Sequence, residues 1–225
     1  MGIYMTPADH QQVSDAVAAA EAGTAGEIVT VIADQSDGYS DVALAWAAVI
    51  AFAAMTALAF FAHFFLGIYD WVFGHWNSDH SPTLIFGIAA AVGIMKFIGV
   101  TLLMLIPAVR MFFVPGIIKT RRVHAHAVAL FKVGAERRTR SRTGILIYLS
   151  MQEHRAEIVA DQAISSLVPP AAWGDAMVAL LAGLKQNGPA AGMIAAIEQI
   201  GVILAEHLPR EEGDVNELPD RLIEL

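Results

Sequence analysis

Cysteine is absent from this 225-residue chain. That excludes disulfide frameworks, thiolate metal sites, cysteine nucleophiles and iron–sulfur ligation. Charge is also scarce: 16% of residues are Asp, Glu, Lys or Arg, against about 25% in an average soluble domain. Basic charge is missing altogether from residues 1–95. HExxH, GxSxG, P-loop and Rossmann patterns do not occur, so the common signatures of zinc hydrolysis, acyl transfer and nucleotide binding are lacking. The net charge of −8 and the lack of aromatics among the basic residues argue against a nucleic-acid partner. What fills the chain instead is apolar: 56% of residues are hydrophobic and mean hydropathy is +0.54, the composition of a membrane protein.

Two long apolar runs carry that excess, at about 43–69 and 84–109. Each is long enough to cross a bilayer with some tilt. Lys96 lies near the middle of the second. A central Lys costs about 2.5–3.5 kcal/mol on insertion scales, and each Leu, Ile, Phe or Val returns about 0.3–0.6. Thirteen such residues lie between Leu84 and Ile106, worth about 4–8 kcal/mol, so the span survives its lysine. The loop between the runs, about 70–83, has no Lys or Arg, whereas nine of the fourteen basic residues fall between Arg110 and Arg142. The positive-inside rule then places the loop outside and both termini in the cytoplasm. Tyr69, Trp71 and Trp76 fit an outer aromatic belt; Trp46, Phe112 and Phe113 fit an inner one. Small residues four apart (Ala43, Ala47, Ala51; Gly87 and Ala91, or Ala89 and Gly93) would let the two helices approach closely.

The polar pieces on either side read as one interrupted domain. Thr6 is a candidate N-cap with Pro7 at the first helical position and Asp9 in the first turn. The stripe Val13, Ala16, Val17, Ala20 continues that helix, Gly23 stops it, and Glu27–Asp34 reads as a strand. One helix and one strand cannot make a core. The missing partners come after the second run: a helix from Val123 to Ala135, strands at 143–150 and 155–161 joined by Gln152-Glu153-His154, a helix with the stripe Trp173, Met177, Leu180, Leu184, and another with Ile194, Ile197, Ile200, Leu204. The expectation is an α/β fold, a mixed sheet with flanking helices, in four segments: 1–41 and 111–209 as the two parts of one cytoplasmic domain, 42–110 as a transmembrane hairpin, and 210–225 as an acidic tail. Strand 27–34 should pair with the strand at 144–150 across a crossover.

This pattern resembles the TPM-domain family, which includes thylakoid acid-phosphatase-like and photosystem-repair proteins. The carrying residues are Thr24-Ala25-Gly26-Glu27-Ile28-Val29, Arg122-Val123-His124-Ala125-His126-Ala127, Arg137 through Ser150, and Glu157-Ile158-Val159-Ala160-Asp161. The likeness is greatest to a bacterial inner-membrane subgroup with a transmembrane hairpin inside the domain. The resemblance implies assembly, stabilisation or repair of a membrane complex, and for some members a divalent cation and weak phosphatase activity. Where the family carries an Asp-Asn/Asp-Gly step, this chain has Arg142-Thr143-Gly144, a base in place of the acid. Of the family's Gly-Tyr-Gly-Leu/Ile-Glu step it keeps only an acid, at Asp161.

The candidate chemistry is correspondingly thin. Asp34 and Asp161 each end a strand and would be the metal ligands, for Ca²⁺ or Mg²⁺, if a hard cation binds at one edge of the sheet; otherwise they are solvated strand ends. Arg137, Arg138, Arg140 and Arg142 form a run suited to anionic lipid headgroups or an acidic partner, or else a solvated basic loop. Lys96 and His63 are intramembrane ionisable groups, expected to contact a partner subunit or a neighbouring carboxylate. His124 and His126 are two apart, wrong for a helical zinc pair. No catalytic residue stands out. The reading is a non-catalytic accessory protein bound to a membrane complex or to further copies of itself, with a weak metal-dependent phosphatase as the alternative.

Overall fold

The computed structural model describes residues 4–74, 80–134, 143–210 and 221–225. Two compact units result: Met1–Asp37 with Gly116–Leu225, and Gly38–Pro115.

The first unit begins with α1, Pro7–Glu21. Its start follows the local chemistry: the Thr6 hydroxyl accepts from Asp9 N–H and the Asp9 carboxylate accepts from Thr6 N–H, a reciprocal capping box around Pro7. Strand β1, Glu27–Ala33, follows. After the second unit come α6 (Gly116–Gly134), β2 (Gly144–Ser150), β3 (Arg155–Ala160), α7 (Gln162–Leu167), α8 (Pro170–Asn187), α9 (Pro189–His207) and β4 (Leu222–Glu224). The sheet order is β3-β2-β1-β4. β1 runs parallel to β2, with Glu27 opposite Gly144 and Ala33 opposite Ser150. It is also parallel to β4, while β3 returns antiparallel to β2. The expected pairing of the strands either side of the long crossover is therefore present.

Side-chain alternation divides the sheet's faces. Ile28, Ile32, Ile145, Ile147 and Leu149 pack against α1, α8 and α9 through residues such as Val13, Leu180, Met193, Ile197 and Leu204. Val31, Leu146 and Tyr148 point the other way, against Val123, Ala127 and Phe131 of α6. β2 is buried at all seven positions, as its continuous apolar run requires of a strand covered on both faces. Glycines bring α8 and α9 together: a Cβ at Gly192 would lie 2.8 Å from the Leu180 carbonyl oxygen, and one at Gly183 2.7 Å from that of Ala191.

The second unit holds α2 (Ser40–Phe60), α3 (Ala62–Phe73), α4 (Pro82–Leu103) and α5 (Pro107–Phe113). α2 and α4 are long and apolar enough to cross a membrane. Of the small residues offered by the second run, Gly93 is the one packed in the seam: it is buried and a Cβ there would meet Met55, while Gly87 and Ala91 are exposed and Ala89 is half-buried. Ala43, Ala47 and Ala51 are buried along α2.

Several boundaries differ from the sequence expectation. The first apolar run is two helices, broken at Phe61 (φ −111°, ψ 34°). The second stops at Leu103 rather than 109, because Pro107 cannot continue a helix and holds Ile106 extended (φ −75°, ψ 115°). The α6 helix begins at Gly116, about two turns before Val123. The acidic tail is not wholly a tail: Leu222–Glu224 is the fourth strand. A third helix, α9, also meets the length and hydropathy of a membrane span. Its apolar residues are instead the core of the first unit, with Gly192, Met193, Ala196, Ile197, Ile200, Gly201 and Leu204 all buried.

Candidate functional site

In a sheet with parallel strands, the carboxyl ends are where a ligand site is expected. Here that edge is formed by Asp34–Asp37 after β1, Met151–His154 after β2, and Leu225 after β4. Asp34 is its hub. Its N–H donates to the Leu225 carbonyl at 3.0 Å and its carbonyl accepts from Gln152 N–H at 2.9 Å. One carboxylate oxygen accepts from the Tyr4 hydroxyl, the other from Gln152 Nε2 at 3.0 Å. That hydrogen bond first, then burial and the charges of Asp34 and Glu224, push the Tyr4 phenol up to about 12. Tyr4 N–H donates to Glu224 Oε1 at 2.8 Å, and His10 Nε2 lies 3.2 Å from Glu224 Oε2.

A second, buried network adjoins it. The Ser36 N–H donates to Glu153 Oε1 at 2.7 Å. The Ser36 hydroxyl donates to Ser150 Oγ at 3.2 Å, and Ser150 donates to Glu153 Oε2. Tyr148 OH lies 2.9 Å from Ser36 Oγ, the donor left to complete the chain. Glu153 is 2% exposed, so its carboxyl oxygens are satisfied by protein donors rather than by bulk water. Burial raises the Tyr148 phenol, an effect partly offset by the Ser36 and Ser150 hydroxyls. Arg122 closes the edge on Asp37 at 2.8 Å. Both oxygens of Glu153 and both of Asp34 are thus engaged, and the arrangement ties the β2–β3 turn to the end of β1. Of these residues sequence reasoning singled out only Asp34. Ser36, Tyr148, Ser150 and Glu153 read as turn or strand positions, and only their convergence in space marks them.

The pairing of Asp34 with Asp161 does not hold. β3 runs antiparallel to β2, so its end lies beside the beginning of β2. There Gly144 N–H donates to Asp161 Oδ2 at 3.2 Å and Asp161 N–H to the Gly144 carbonyl at 3.0 Å. The two acids sit at opposite ends of seven-residue strands, about 20 Å apart at ~3.3 Å per residue. They do not fit a shared divalent cation, and among the described residues no group of three His, Asp or Glu is placed to hold one. Asp161 instead borders an open hollow of about 480 Å³ with Val128, Phe131, Lys132, Val159 and Ser166. The Ser165 and Ser166 hydroxyls donate to backbone carbonyls three residues back. His124 and His126 diverge, as their spacing requires: one meets Glu157 at 3.2 Å, the other rests against the Tyr148 ring.

Arg137, Arg138, Arg140 and Arg142 lie outside the described residues, as do His75, Trp76 and Asp79 of the outer loop. Lys96 on α4 and His63 on α3 are both exposed on the surface of the hairpin. Trp46 and Phe113, expected in the same aromatic belt, are brought together, with Trp46 Nε1 donating to the Phe113 carbonyl at 3.1 Å and the rings edge to face.

The family model for the TPM domain matches residues 109–203. Those residues carry the TPM-domain signature. The matched stretch runs from α5 into α9 and contains β2 and β3, while β1 and β4, which complete the sheet, lie outside it. Among solved structures, the chain is similar to the NMR structure of the BA42 protein from the psychrophilic bacterium Bizionia argentinensis. That likeness has a TM-score of 0.57 and 16% sequence identity, over 100% of this chain and 98% of that one; at such identity it speaks for the fold. No curated protein matches.

Proposed function

We propose that the chain is a bacterial inner-membrane TPM-domain protein acting as a non-catalytic accessory subunit, which binds a membrane protein complex and helps assemble, stabilise or repair it. The observation that carries this reading is where the apolar helices sit in the chain. α2 and α4 interrupt the crossover between β1 and β2, the two central strands of the sheet. The anchor is therefore built into the fold rather than appended to it. The basic window after α4 supports a cytoplasmic TPM domain with both termini inside, and Arg137, Arg138, Arg140 and Arg142 are assigned to anionic headgroups or an acidic partner surface. Lys96 is assigned to a contact with a partner helix, where a lysine in hydrocarbon finds a counter-charge. The separation of Asp34 from Asp161 speaks against the rival, a weak Ca²⁺- or Mg²⁺-dependent phosphatase built on those acids.

Purification in a mild detergent tests the proposal: a membrane protein should co-purify in fixed stoichiometry. A chain that runs alone and gains thermal stability with Ca²⁺ or Mg²⁺ favours the phosphatase instead. That rival in turn requires turnover that falls in Asp161→Ala.

A further inference from the structure

The hairpin contains a cavity that its own side chains do not fill. α2 and α4 are in close contact as far as Met55 and Gly93. Beyond that level α2 ends, the backbone breaks at Phe61, and α3 continues as a separate helix. Between α2–α3 and the first half of α4 lies a space of about 210 Å³, walled by Met55, Leu58, Phe65 and Tyr69 on one side and Phe86 and Ala89 on the other. An apolar cavity of roughly 150 Å³ stays dry and accepts a hydrocarbon such as benzene, so this larger one is a place for a hydrocarbon chain. One end is polar. The Tyr69 ring that lines the cavity stands edge-on to His80 at 6.2 Å. His80 Nε2 lies 2.9 Å from Asp70 Oδ1, with the histidine side chain 14% exposed.

The chemistry of that end selects the head of the occupant. A carboxylate only accepts, so His80 Nε2 donates to Asp70, and Nδ1 is the ring nitrogen left for a hydroxyl, which can either donate or accept. No Lys or Arg occurs before residue 96, and Asp70 is anionic, so nothing at this end rewards a phosphate. We propose that the hairpin binds one uncharged, hydroxyl-headed lipid of the diacylglycerol type, its chain in the α2–α3–α4 cavity and its hydroxyl on His80. The proposal rests on the membrane placement of the hairpin.

The test uses the full chain in detergent micelles, titrated with dioleoylglycerol or dioleoylphosphatidylglycerol and read by native mass spectrometry and thermal midpoint. The expected result is one saturable dioleoylglycerol per chain with a raised midpoint, and weaker binding of the phospholipid. Ala89→Leu, which fills the cavity, and His80→Phe, which removes the polar partner of the hydroxyl, should each weaken binding by about tenfold, in the second case the worth of one lost polar contact. Gly87→Leu, whose Cβ would point into open space, should bind as the parent does. Helix content by circular dichroism and flotation of the chain with vesicles are measured on every variant. A chain that floats but takes both lipids equally, binds without saturation, or is insensitive to Ala89→Leu and His80→Phe overturns the lipid site alone. A chain that does not float overturns the membrane placement and the site with it.

Discussion

The two units solve the same problem in opposite directions. In the sheet unit the large apolar side chains are inside: Ile28, Ile32, Ile145, Leu149, Leu180, Ile197 and Leu204 are all at most 2% exposed. In the hairpin they are outside. Phe60, Phe64, Trp71, Phe86, Ile94 and Leu102 are exposed, and the residues buried along α2 and α4 are chiefly Ala43, Ala47, Ala51 and Gly93. Water drives apolar area inward because burial is favourable. Hydrocarbon offers no such gain, so helices associate where small residues let backbones approach. Helix α9 makes the contrast within a single hydropathy class. It is as apolar as a membrane span requires, yet it is packed between α1, α8 and the sheet. Hydropathy records that a helix avoids water, and the sheet beside it decides what it meets instead.

The comparison can be broken most forcefully at the cores. Leu180→Ala empties a fully buried position and should cost about 2–5 kcal/mol, whereas Ile94→Ala on the outer surface of α4 should change stability by less than about 0.5 kcal/mol. Urea or thermal unfolding of the detergent-solubilised chain measures both, and equal losses would erase the distinction. Next in size is the small-residue seam. A Cβ at Gly93 would lie 2.7 Å from Met55 Sδ, while one at Gly87 meets nothing within 4 Å. Gly93→Leu should cost about 1–3 kcal/mol by overpacking and slow disulfide formation between cysteines placed across α2 and α4; Gly87→Leu should do neither.

Smaller effects sharpen the picture of the sheet unit. His154, in the β2–β3 turn, holds φ at +52°, a left-handed conformation that costs a side-chain-bearing residue about 1 kcal/mol or more. His154→Gly should therefore stabilise the unit, net of glycine's added chain entropy, by up to about 1 kcal/mol, seen as a raised midpoint. The smallest effect is at Tyr4. Its folded pKa is pushed up to about 12 by the hydrogen bond to Asp34, above the ordinary value of 10.0. Its contribution is intact below pH 10 and drains away as pH rises from 10 through 12, because the unfolded chain ionises first. Tyr4→Phe should flatten the stability profile in that window and leave its slope near neutrality unchanged.

How much of this was legible in the chain depends on the range of the interaction. The capping box at Thr6 and Asp9, the strand at 27–33 and the buried strand at 144–150 are matters of a few neighbouring residues, and each lies where local chemistry puts it. The break at Phe61 was not legible: nothing in Phe60-Phe61-Ala62 is a helix breaker. Strand β4 was hidden because three residues among acids carry no periodicity, and their pairing with β1 involves residues nearly two hundred positions away. The Ser36–Ser150–Glu153 network was hidden for the same reason. Each member is an ordinary polar residue until β1 and β2 lie parallel and in register.

By itself the sequence determined the class of the protein: apolar helices too hydrophobic for water, a basic window after them, and an α/β domain whose first helix and strand precede the interruption. These follow from composition and short-range periodicity, which act before any long-range contact forms. Only the tertiary structure decided which ends of the strands meet. The antiparallel return of β3 separates Asp34 from Asp161, and the parallel pairing of β1 with β2 and β4 gathers Tyr4, Asp34, Ser36, Glu153 and Glu224 at one edge. Strand direction is a property of the whole sheet. It is set by which faces can be buried together, and no single segment encodes it.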